Sequence, residues 1–317
     1  MNRTIVRRLV QLAVLGLVVL GVVVFVRHLD GPKVAALLRE ASWPLISIAL
    51  WFTIAGIAAQ ILRTQRILEP TKLIPLRRLA HYHLAAGAAT NLLPARAGDA
   101  LRAYLWRINE GIPIATTVGV AFSEYAVKAV TLFVLALPLP WLVSVEMPIP
   151  STARIVVIAV VVVTVVAATV YAYRRARRPA APPWLRDSVA ALHALEWGRN
   201  LAAILAFTTA AWLCEAFAIV LVADALGNPI GFPGAILVLV TLNLALVVPS
   251  TPGRIGVFEL GAGFGLTLLG VPESDAIAIA LLCHLIQYIP TTLLGLAGLP
   301  LALAARRQLA ATPQVPR

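Results

Sequence analysis

The stretch Leu246-Val-Val-Pro-Ser-Thr-Pro-Gly-Arg-Ile-Gly-Val-Phe-Glu259 decides how the rest of the chain is interpreted. It places two prolines, two glycines, an arginine and a glutamate within an otherwise apolar region. Because proline removes a backbone donor and glycine weakens a helix, a membrane helix is expected to break here. In hydrocarbon, such a break is tolerated only where protein or a water-filled cavity surrounds it. The stretch therefore predicts a broken membrane segment that turns at Pro249, Pro252, Gly253 and Gly256.

A second stretch, Asn91-Leu-Leu-Pro-Ala-Arg-Ala-Gly-Asp-Ala-Leu-Arg102, has the same order of residue types. Pro94 corresponds to Pro249, Gly98 corresponds to Gly253, and charged residues follow in both stretches. Two broken membrane segments in corresponding places predict an internal repeat.

The composition is that of a membrane protein. Of the 317 residues, 60% are hydrophobic and 13% are charged, and the mean hydropathy of +0.90 is far too high for a soluble domain. The net charge of +12 comes from basic residues clustered between apolar runs, where they set topology and meet anionic lipid, so nucleic acid is not an expected partner. Cys214 and Cys283 lie within apolar runs with no Cys or His at metal-ligand spacing beside them, so neither a zinc site nor a disulfide framework is expected.

Six apolar runs are long enough to cross a membrane: residues 9–26, 45–62, 111–142, 153–173, 201–223 and 276–304. Basic residues cluster at 3–8, 63–78, 174–178 and 306–307. In the segments 143–151 and 271–275, by contrast, every charged residue is acidic. Cytoplasmic loops of membrane proteins are enriched in Lys and Arg. The basic clusters and both termini of this chain are therefore predicted to be cytoplasmic. Residues 79–106 must then enter from the cytoplasm and return to it, while residues 234–270 enter from outside and return there.

The predicted fold is an all-α polytopic membrane protein with about six full transmembrane helices and two re-entrant hairpins in an inverted-topology repeat. We expect one integral domain in the cytoplasmic membrane, divided into 1–44 (first span and external loop), 45–142 (first half, hairpin 79–106), 143–200 (linking span, basic loop and a surface helix at 182–200), 201–305 (second half, hairpin 234–270) and 306–317 (cytoplasmic tail). An ordinary linker is the alternative for residues 182–200. The alternative is that each hairpin is a pair of full spans. Residues 79–94 argue against it, since about 16 residues fall short of the roughly 20 that a span needs.

Charged groups within the apolar runs are candidate site residues, because each costs about 2.5–3.5 kcal/mol at a helix centre and needs a partner. Glu124 and Lys128 are one turn apart and can pair along one helix. Glu215 has no basic residue one turn away, so either its partner lies on another helix or on a substrate, or Glu215 stays protonated. His284 and Gln287, also one turn apart, follow the second break much as Glu124 and Lys128 follow the first.

The other candidates flank the breaks, with Arg96, Asp99 and Arg102 at the first and Arg254 and Glu259 at the second. One interpretation is that all of these groups converge on a polar cavity, where Arg96 and Arg102 serve the inner approach and Arg254 the outer one. The other interpretation is that they form salt bridges and helix caps that hold the hairpins together. A proton relay through His284 is a further alternative.

No catalytic signature accompanies these charges. The sequence lacks a Gly-x-Ser-x-Gly elbow, a His-Glu-x-x-His pair, a phosphate-binding loop and an Asp-rich metal cluster. We therefore expect neither an enzyme nor a cofactor.

Both broken stretches resemble segments of a known family. Leu93-Pro-Ala-Arg-Ala-Gly-Asp-Ala-Leu-Arg-Ala-Tyr104 and Pro252-Gly-Arg-Ile-Gly-Val-Phe-Glu259 are similar to two segments of the transmembrane domain of lysylphosphatidylglycerol synthases. The first is that family's Pro, Gly, acidic, Leu-Arg-Ala segment, and the second is its Pro-Gly-x-x-Gly-x-x-Glu segment. The family tends to have Glu-Arg and an Asp one turn later where this chain has Glu124, Tyr125 and Lys128, and an Arg where it has His284.

The resemblance implies a function in lipid movement. In the multiple peptide resistance factor this domain is fused to a synthase domain and is regarded as a flippase for aminoacylated phospholipid, and single-domain relatives are often linked to lipid-linked sugars. The implied function is a flippase or scramblase for an aminoacylated or anionic phospholipid or a lipid-linked sugar. The alternatives are a non-transporting membrane partner of a glycosyltransferase or lipid synthase, and a small-anion transporter. Expected partners are membrane lipids, such a membrane enzyme, and a second copy of the chain.

Overall fold

The computed structural model of the protein describes residues 36, 39–93, 97–143, 197–247 and 252–311, and within them it contains helices and no strand. In chain order the helices are α1 (Trp43–Leu68), α2 (Leu76–Leu92), α3 (Ala97–Glu110), α4 (Ile114–Ala136), α5 (Leu139–Leu142), α6 (Trp197–Ala225), α7 (Gly231–Ala245), a 3-10 turn (Pro252–Arg254), α8 (Val257–Thr267) and α9 (Glu273–Ala311). The all-α prediction is confirmed for this part of the chain.

Among the described residues, four helical stretches are long and apolar enough to cross a membrane. They are Trp43–Leu68, Ile114–Leu142, Asn200–Ala225 and Glu273–Leu303, with mean hydropathies of 1.7 to 2.1. They coincide with four of the six predicted spans, so the chain is a multi-pass membrane protein. The predicted spans 9–26 and 153–173 lie outside the described residues. So does the predicted surface helix, except for residues 197–200, which begin α6.

Each predicted break separates two short helices. α2 ends at Leu92 and α3 begins at Ala97, whereas α7 ends at Ala245 and α8 begins at Val257. These helices have 17, 14, 15 and 11 residues, so each is about 16–26 Å long at 1.5 Å per residue. All four fall short of the roughly 30 Å hydrocarbon core. Their lengths suit re-entrant hairpins, while the re-entrant course, its orientation and the inverted repeat stay predictions.

Glycines bring α7 and α8 into close contact. A Cβ added to Gly261 would lie 2.6 Å from the Cβ of Ala245, and a Cβ added to Gly265 would lie 2.9 Å from the Cα of Val238. The later residue of α8 thus contacts the earlier residue of α7, so the two helices are antiparallel. Small residues spaced four apart let helix backbones approach this closely in a membrane. The second broken segment is therefore a tightly packed helical hairpin.

Glu110, the last residue of α3, joins the two ends of the first broken segment. Its buried carboxylate lies 3.1 Å from Nζ of Lys72 and 3.0 Å from Nη1 of Arg78. It also accepts a hydrogen bond from the Tyr82 hydroxyl at 3.0 Å. Lys72 and Arg78 lie just before and at the start of α2, so the segment begins and ends at the same place. The two ends of the segment are therefore in contact, while the return of the chain to its starting side of the membrane stays a prediction.

The described residues divide into two compact units. The first lies within Met1–Ile54, Gly87–Ala97 and Cys214–Leu293, and the second within Ala55–Ala86, Gly98–Leu213 and Leu294–Arg317. Neither unit corresponds to one predicted half of the repeat, since each contains residues from both 45–142 and 201–305. The second unit has an apolar core built around Trp106, Tyr82 and Leu105.

Candidate functional site

Glu124 on α4 is the centre of a buried charge cluster in the second unit. Nη1 of Arg102, on α3, donates to one carboxylate oxygen of Glu124 at 2.7 Å. Nη2 of Arg63, on α1, lies 3.7 Å from the other oxygen, which also accepts the hydroxyl of Thr64. The side chains of Arg63, Arg102 and Glu124 are 2%, 8% and 9% exposed. We call Arg63, Thr64, Arg102 and Glu124 the Glu124 cluster.

The sequence of α3 explains why Arg102 points inward. The buried residues of α3 are Gly98, Arg102, Leu105, Trp106, Asn109 and Glu110, which recur at the three- and four-residue spacing of one helix face. The Arg102 guanidinium lies 5.2 Å from the ring centroid of Trp106, one turn away on this face. A cation over an indole ring is stabilised by the ring's quadrupole, which offsets part of the cost of burying the charge.

Asp99 is a half-exposed partner of the same arginine. Its carboxylate lies 3.4 Å from Nη2 of Arg102 and accepts a hydrogen bond from the Tyr125 hydroxyl at 3.2 Å. Asp99 is in the first turn of α3, where the helix dipole favours a negative charge. Arg102 therefore links an exposed carboxylate with a buried one.

Lys128, predicted to pair with Glu124, contacts an aromatic ring. Its Nζ lies 5.7 Å from the ring centroid of Trp212 on α6, and Nε1 of Trp212 donates to the backbone oxygen of Lys128 at 3.1 Å. The ion pairs of Glu124 with Arg63 and Arg102 come from other helices, α1 and α3.

Glu259 is the centre of a buried cluster in the first unit. Its two carboxylate oxygens are 2.6 Å from the backbone nitrogen of Gly256 and 2.6 Å from Nδ1 of His284, on α9. A carboxylate only accepts, so Nδ1 of His284 is the donor in this contact. The His284 ring also stacks on Phe258, with centroids 4.3 Å apart. Glu259 and His284, predicted as separate candidates, are thus direct partners.

The backbone of the second break has a left-handed conformation at three positions. The φ angles are 69° at Gly253, 60° at Arg254 and 86° at Gly256. Arg254 is exposed, and its guanidinium forms no ion pair or hydrogen bond within the described part of the chain. Such a conformation is uncommon for a residue with a side chain and tends to occur at functional turns.

Asn91, at the end of α2, lies beside this turn in the first unit. A Cβ on Gly253 would be 3.1 Å from the backbone oxygen of Asn91 and 2.8 Å from Cε2 of Tyr288. The Asn91 side-chain amide donates to the Thr292 hydroxyl at 2.9 Å. The two broken segments therefore meet at Gly253 and Asn91, where only a residue without a side chain fits.

Glu215 has a partner from another helix, as its sequence surroundings predicted. Nε2 of Gln287, on α9, donates to the Glu215 carboxylate at 3.3 Å. Both side chains are partly buried. Gln287 and His284 thus engage different carboxylates, although they are one turn apart on the same helix.

Several predicted site residues lie elsewhere or outside the described part. Pro94, Arg96 and Pro249 fall in the undescribed gaps, and Pro252 begins the 3-10 turn. Gly98, which corresponds to Gly253 in the sequence, lies in the first turn of α3. The φ angle of Gly98 is not positive, since residues in an α-helix have negative φ angles. The backbone conformation there does not require glycine. In the described residues, no three His, Cys, Asp or Glu side chains are grouped closely enough to hold a metal ion.

Arg63 and Glu110 are two buried charged residues that are not among the predicted site residues. Arg63 was counted with the basic residues of a cytoplasmic loop, but it lies inside α1, which continues to Leu68. The sequence signal for its burial was its position four residues before the apolar residue Ile67, which places both on one helix face. Ile67 is buried as well. Glu110 lies between the predicted hairpin 79–106 and the next apolar run, and nothing in the local sequence distinguishes its burial.

Comparison with known proteins identifies one family. The family model described as the lysylphosphatidylglycerol synthase TM region matches residues 9–295. No curated protein matches the chain. The matched range includes both broken segments and every residue of the two clusters.

Proposed function

Because the chain belongs to the family of the lysylphosphatidylglycerol synthase TM region, we propose that it moves a lipid with a polar headgroup between the leaflets of the cytoplasmic membrane, as a flippase or scramblase. The headgroup crosses along the buried charged groups, and the acyl or prenyl tails stay in the bilayer. The substrate is an aminoacylated or anionic phospholipid or a lipid-linked sugar. Both termini are cytoplasmic, and the two broken segments are re-entrant hairpins of an inverted repeat.

The observation that carries this proposal is the Glu124 cluster. Arg63 and Glu124 lie within helices that are apolar enough to span a membrane, and Arg102 lies in one of the short helices. Burying an ion pair seldom adds stability, because an apolar replacement of similar volume is often neutral or stabilising. Charged residues within membrane segments tend to mark substrate or ion pathways. A path for a polar headgroup is the function that explains this arrangement best.

The second break gives independent support. Non-helical backbone at membrane depth is tolerated where it is covered by protein or lines a water-filled cavity. The exposed guanidinium of Arg254 places positive charge at this turn, whereas the N-terminus of α8 is already capped by the buried Glu259 carboxylate. An anionic group of a headgroup would be attracted to this site.

Reconstitution tests the proposal directly. The protein is placed in liposomes that contain a panel of fluorescent lipids with different headgroups, and dye in the outer leaflet is quenched chemically. A flippase or scramblase makes inner-leaflet dye accessible in a protein-dependent way, whereas a non-transporting enzyme partner or a small-anion transporter does not. Absence of exchange for every headgroup would contradict the proposal.

Arginine variants sharpen the test. Loss of a charge-assisted contact, about 1.5–3 kcal/mol, should slow exchange roughly ten- to a hundred-fold in Arg254→Ala, and Arg254→Lys should keep part of the rate. Arg96→Ala and Arg102→Ala are expected to act in the same direction. Arg66→Ala is the matched control, because Arg66 forms a half-exposed pair with Glu69 at 3.0 Å. If all three site variants exchange lipid at the wild-type rate, a role as an enzyme partner becomes the better explanation.

A further inference from the structure

Buried N–H donors in the second unit outnumber the acceptors available to them. Within the described residues, four buried side-chain nitrogens have no hydrogen-bond partner: Nε and Nη1 of Arg63, Nε of Arg102 and Nε1 of Trp106. In this part of the chain, the only buried side-chain acceptor without a hydrogen-bond partner is Oδ1 of Asn109. Buried polar groups are almost always paired in native proteins, so such a surplus of donors needs an explanation.

Three of these donors belong to the two arginines that pair with Glu124. Arg63 and Arg102 both pair with Glu124, and each guanidinium has five N–H donors in a fixed plane. Arg102 uses Nη1 on Glu124 and Nη2 on Asp99, while Arg63 uses Nη2 on Glu124. The shared partner Glu124 thus brings the two guanidinium groups close to each other, and each keeps unused donors.

The charges of the cluster do not balance. Two buried arginines face a single buried carboxylate, since the Asp99 side chain is 44% exposed. An excess positive charge in a low-dielectric environment attracts an anion strongly. Guanidinium groups also match the planar, bidentate recognition of phosphate oxygens. Trp106 adds a neutral donor one helical turn from Arg102.

We propose that Arg63, Arg102 and Trp106 form a binding site for a phosphate-type anion, and that this anion belongs to the headgroup of a net anionic lipid. The inference rests on the proposed function and narrows its substrate class. Glu124 orients the two arginines and leaves their remaining N–H groups for the oxygens of the ligand. A headgroup with added amino groups would bring further positive charge to a site that already has an excess, so an aminoacylated lipid is disfavoured here.

Binding to the purified full-length protein tests the site without any transport step. The probes are dioctanoyl phosphatidylglycerol, dioctanoyl phosphatidylcholine and sodium phosphate, added to protein in a neutral detergent. Their affinities are measured from the ligand-dependent rise in melting temperature and from native mass spectrometry. We expect the anionic lipid to bind at least ten-fold more tightly than the zwitterionic lipid of equal chain length.

Two variants and a control assign the residues. Arg63→Gln removes the charge and most donors and should weaken binding of the anionic lipid roughly ten- to a hundred-fold. Trp106→Phe removes one N–H and keeps an aromatic ring, so a several-fold loss is expected even if Arg63→Gln fails to fold. Arg66→Gln, on the same helix and paired with exposed Glu69, should bind as the wild type does.

Three results would overturn the assignment. Equal affinity for both lipids would mean that the surplus donors do not select an anion. Wild-type affinity in folded Arg63→Gln or Trp106→Phe would place binding elsewhere. Saturation by free phosphate as strong as that by the anionic lipid would identify a small anion as the ligand. If the protein exchanges lipids between leaflets but does not prefer the anionic lipid, only the present inference is refuted. If it binds the anionic lipid tightly but does not exchange lipids, only the proposed function is refuted.

Discussion

Nδ1 of His284 and Oε1 of Glu259 lie 2.6 Å apart, and this contact joins α9 to the first turn of α8 just after the second break. The other oxygen of Glu259 accepts the backbone N–H of Gly256, the residue that precedes α8. One buried carboxylate therefore caps α8 and attaches it to a neighbouring helix. The turn between α7 and α8 is fixed at its C-terminal side by this pair of bonds.

Glu259→Ala should lower the stability of the protein strongly. Two buried donors, one on Gly256 and one on His284, would lose their acceptor, and each costs about 1–3 kcal/mol, so we expect a loss of about 2–6 kcal/mol. Denaturation of the purified protein in detergent measures it. Glu69→Ala is the control, since Glu69 is 37% exposed in its pair with Arg66 and such pairs contribute about 0–1 kcal/mol. Equal stability of the two variants would mean that Glu259 does not hold the turn.

Gly253→Ala should destabilise more than the same change at Gly227. Both glycines have left-handed φ angles, 69° and 75°, so alanine at either position meets about 1–2 kcal/mol of backbone strain. Gly227 has open space around its Cβ position, whereas the Cβ at Gly253 would lie 2.8 Å from Tyr288. The difference between the two melting temperatures isolates the steric part. Equal shifts would show that the close approach of Tyr288 and Asn91 relaxes without cost.

Gly265→Ala and Gly263→Ala, on the same helix, should have opposite effects. Replacing a helical glycine by alanine ordinarily stabilises by roughly 0.5–1 kcal/mol. A Cβ at Gly263 meets no atom within 4 Å, so this variant should keep or gain stability. A Cβ at Gly265 would lie 2.9 Å from the Cα of Val238 and should force α7 and α8 apart. Thermal unfolding in detergent distinguishes the two, and a stabilised Gly265→Ala protein would contradict the tight hairpin.

The sequence predicted the breaks well because their signals are local. Proline and glycine act on their own backbone, so the ends of α2 and α7 and the start of α8 follow from the residues around them. The length of the apolar runs likewise predicted α1, α4, α6 and α9. These features need no knowledge of which helices touch.

The partners of the charged residues were harder to predict, because they depend on packing between helices. Glu124 has Lys128 one turn away, which is the only pairing that a helical period can indicate. The arginines that bind it come from α1 and α3, 61 and 22 positions away along the chain. Arg63 was missed for the same reason, since a basic residue near a helix end is usually exposed at the membrane surface. Burial decides its role, and burial is a property of the whole fold.

Cysteine labelling tests the re-entrant first segment. In a background without Cys214 and Cys283, cysteines at the exposed positions Arg77 and Arg107 should react with an impermeant reagent only from the cytoplasmic side. Glu110 binds Lys72 and Arg78, so the two labelled sites lie near each other. The excess of basic residues predicts that both sites are cytoplasmic. A cysteine at exposed Glu273 should react only from outside.

The tip of the segment distinguishes a hairpin from two full spans. Leu93, beside the break, is 51% exposed. If α2 and α3 crossed the membrane completely, a cysteine at Leu93 would react with a bulky impermeant reagent from outside as fast as one at Glu273. In a re-entrant hairpin the tip stays at membrane depth, because α2 and α3 extend only about 21–26 Å against a core of roughly 30 Å. We therefore expect slow or absent labelling of Leu93→Cys from outside, and labelling of Arg107→Cys from outside would contradict both the hairpin and its closure by Glu110.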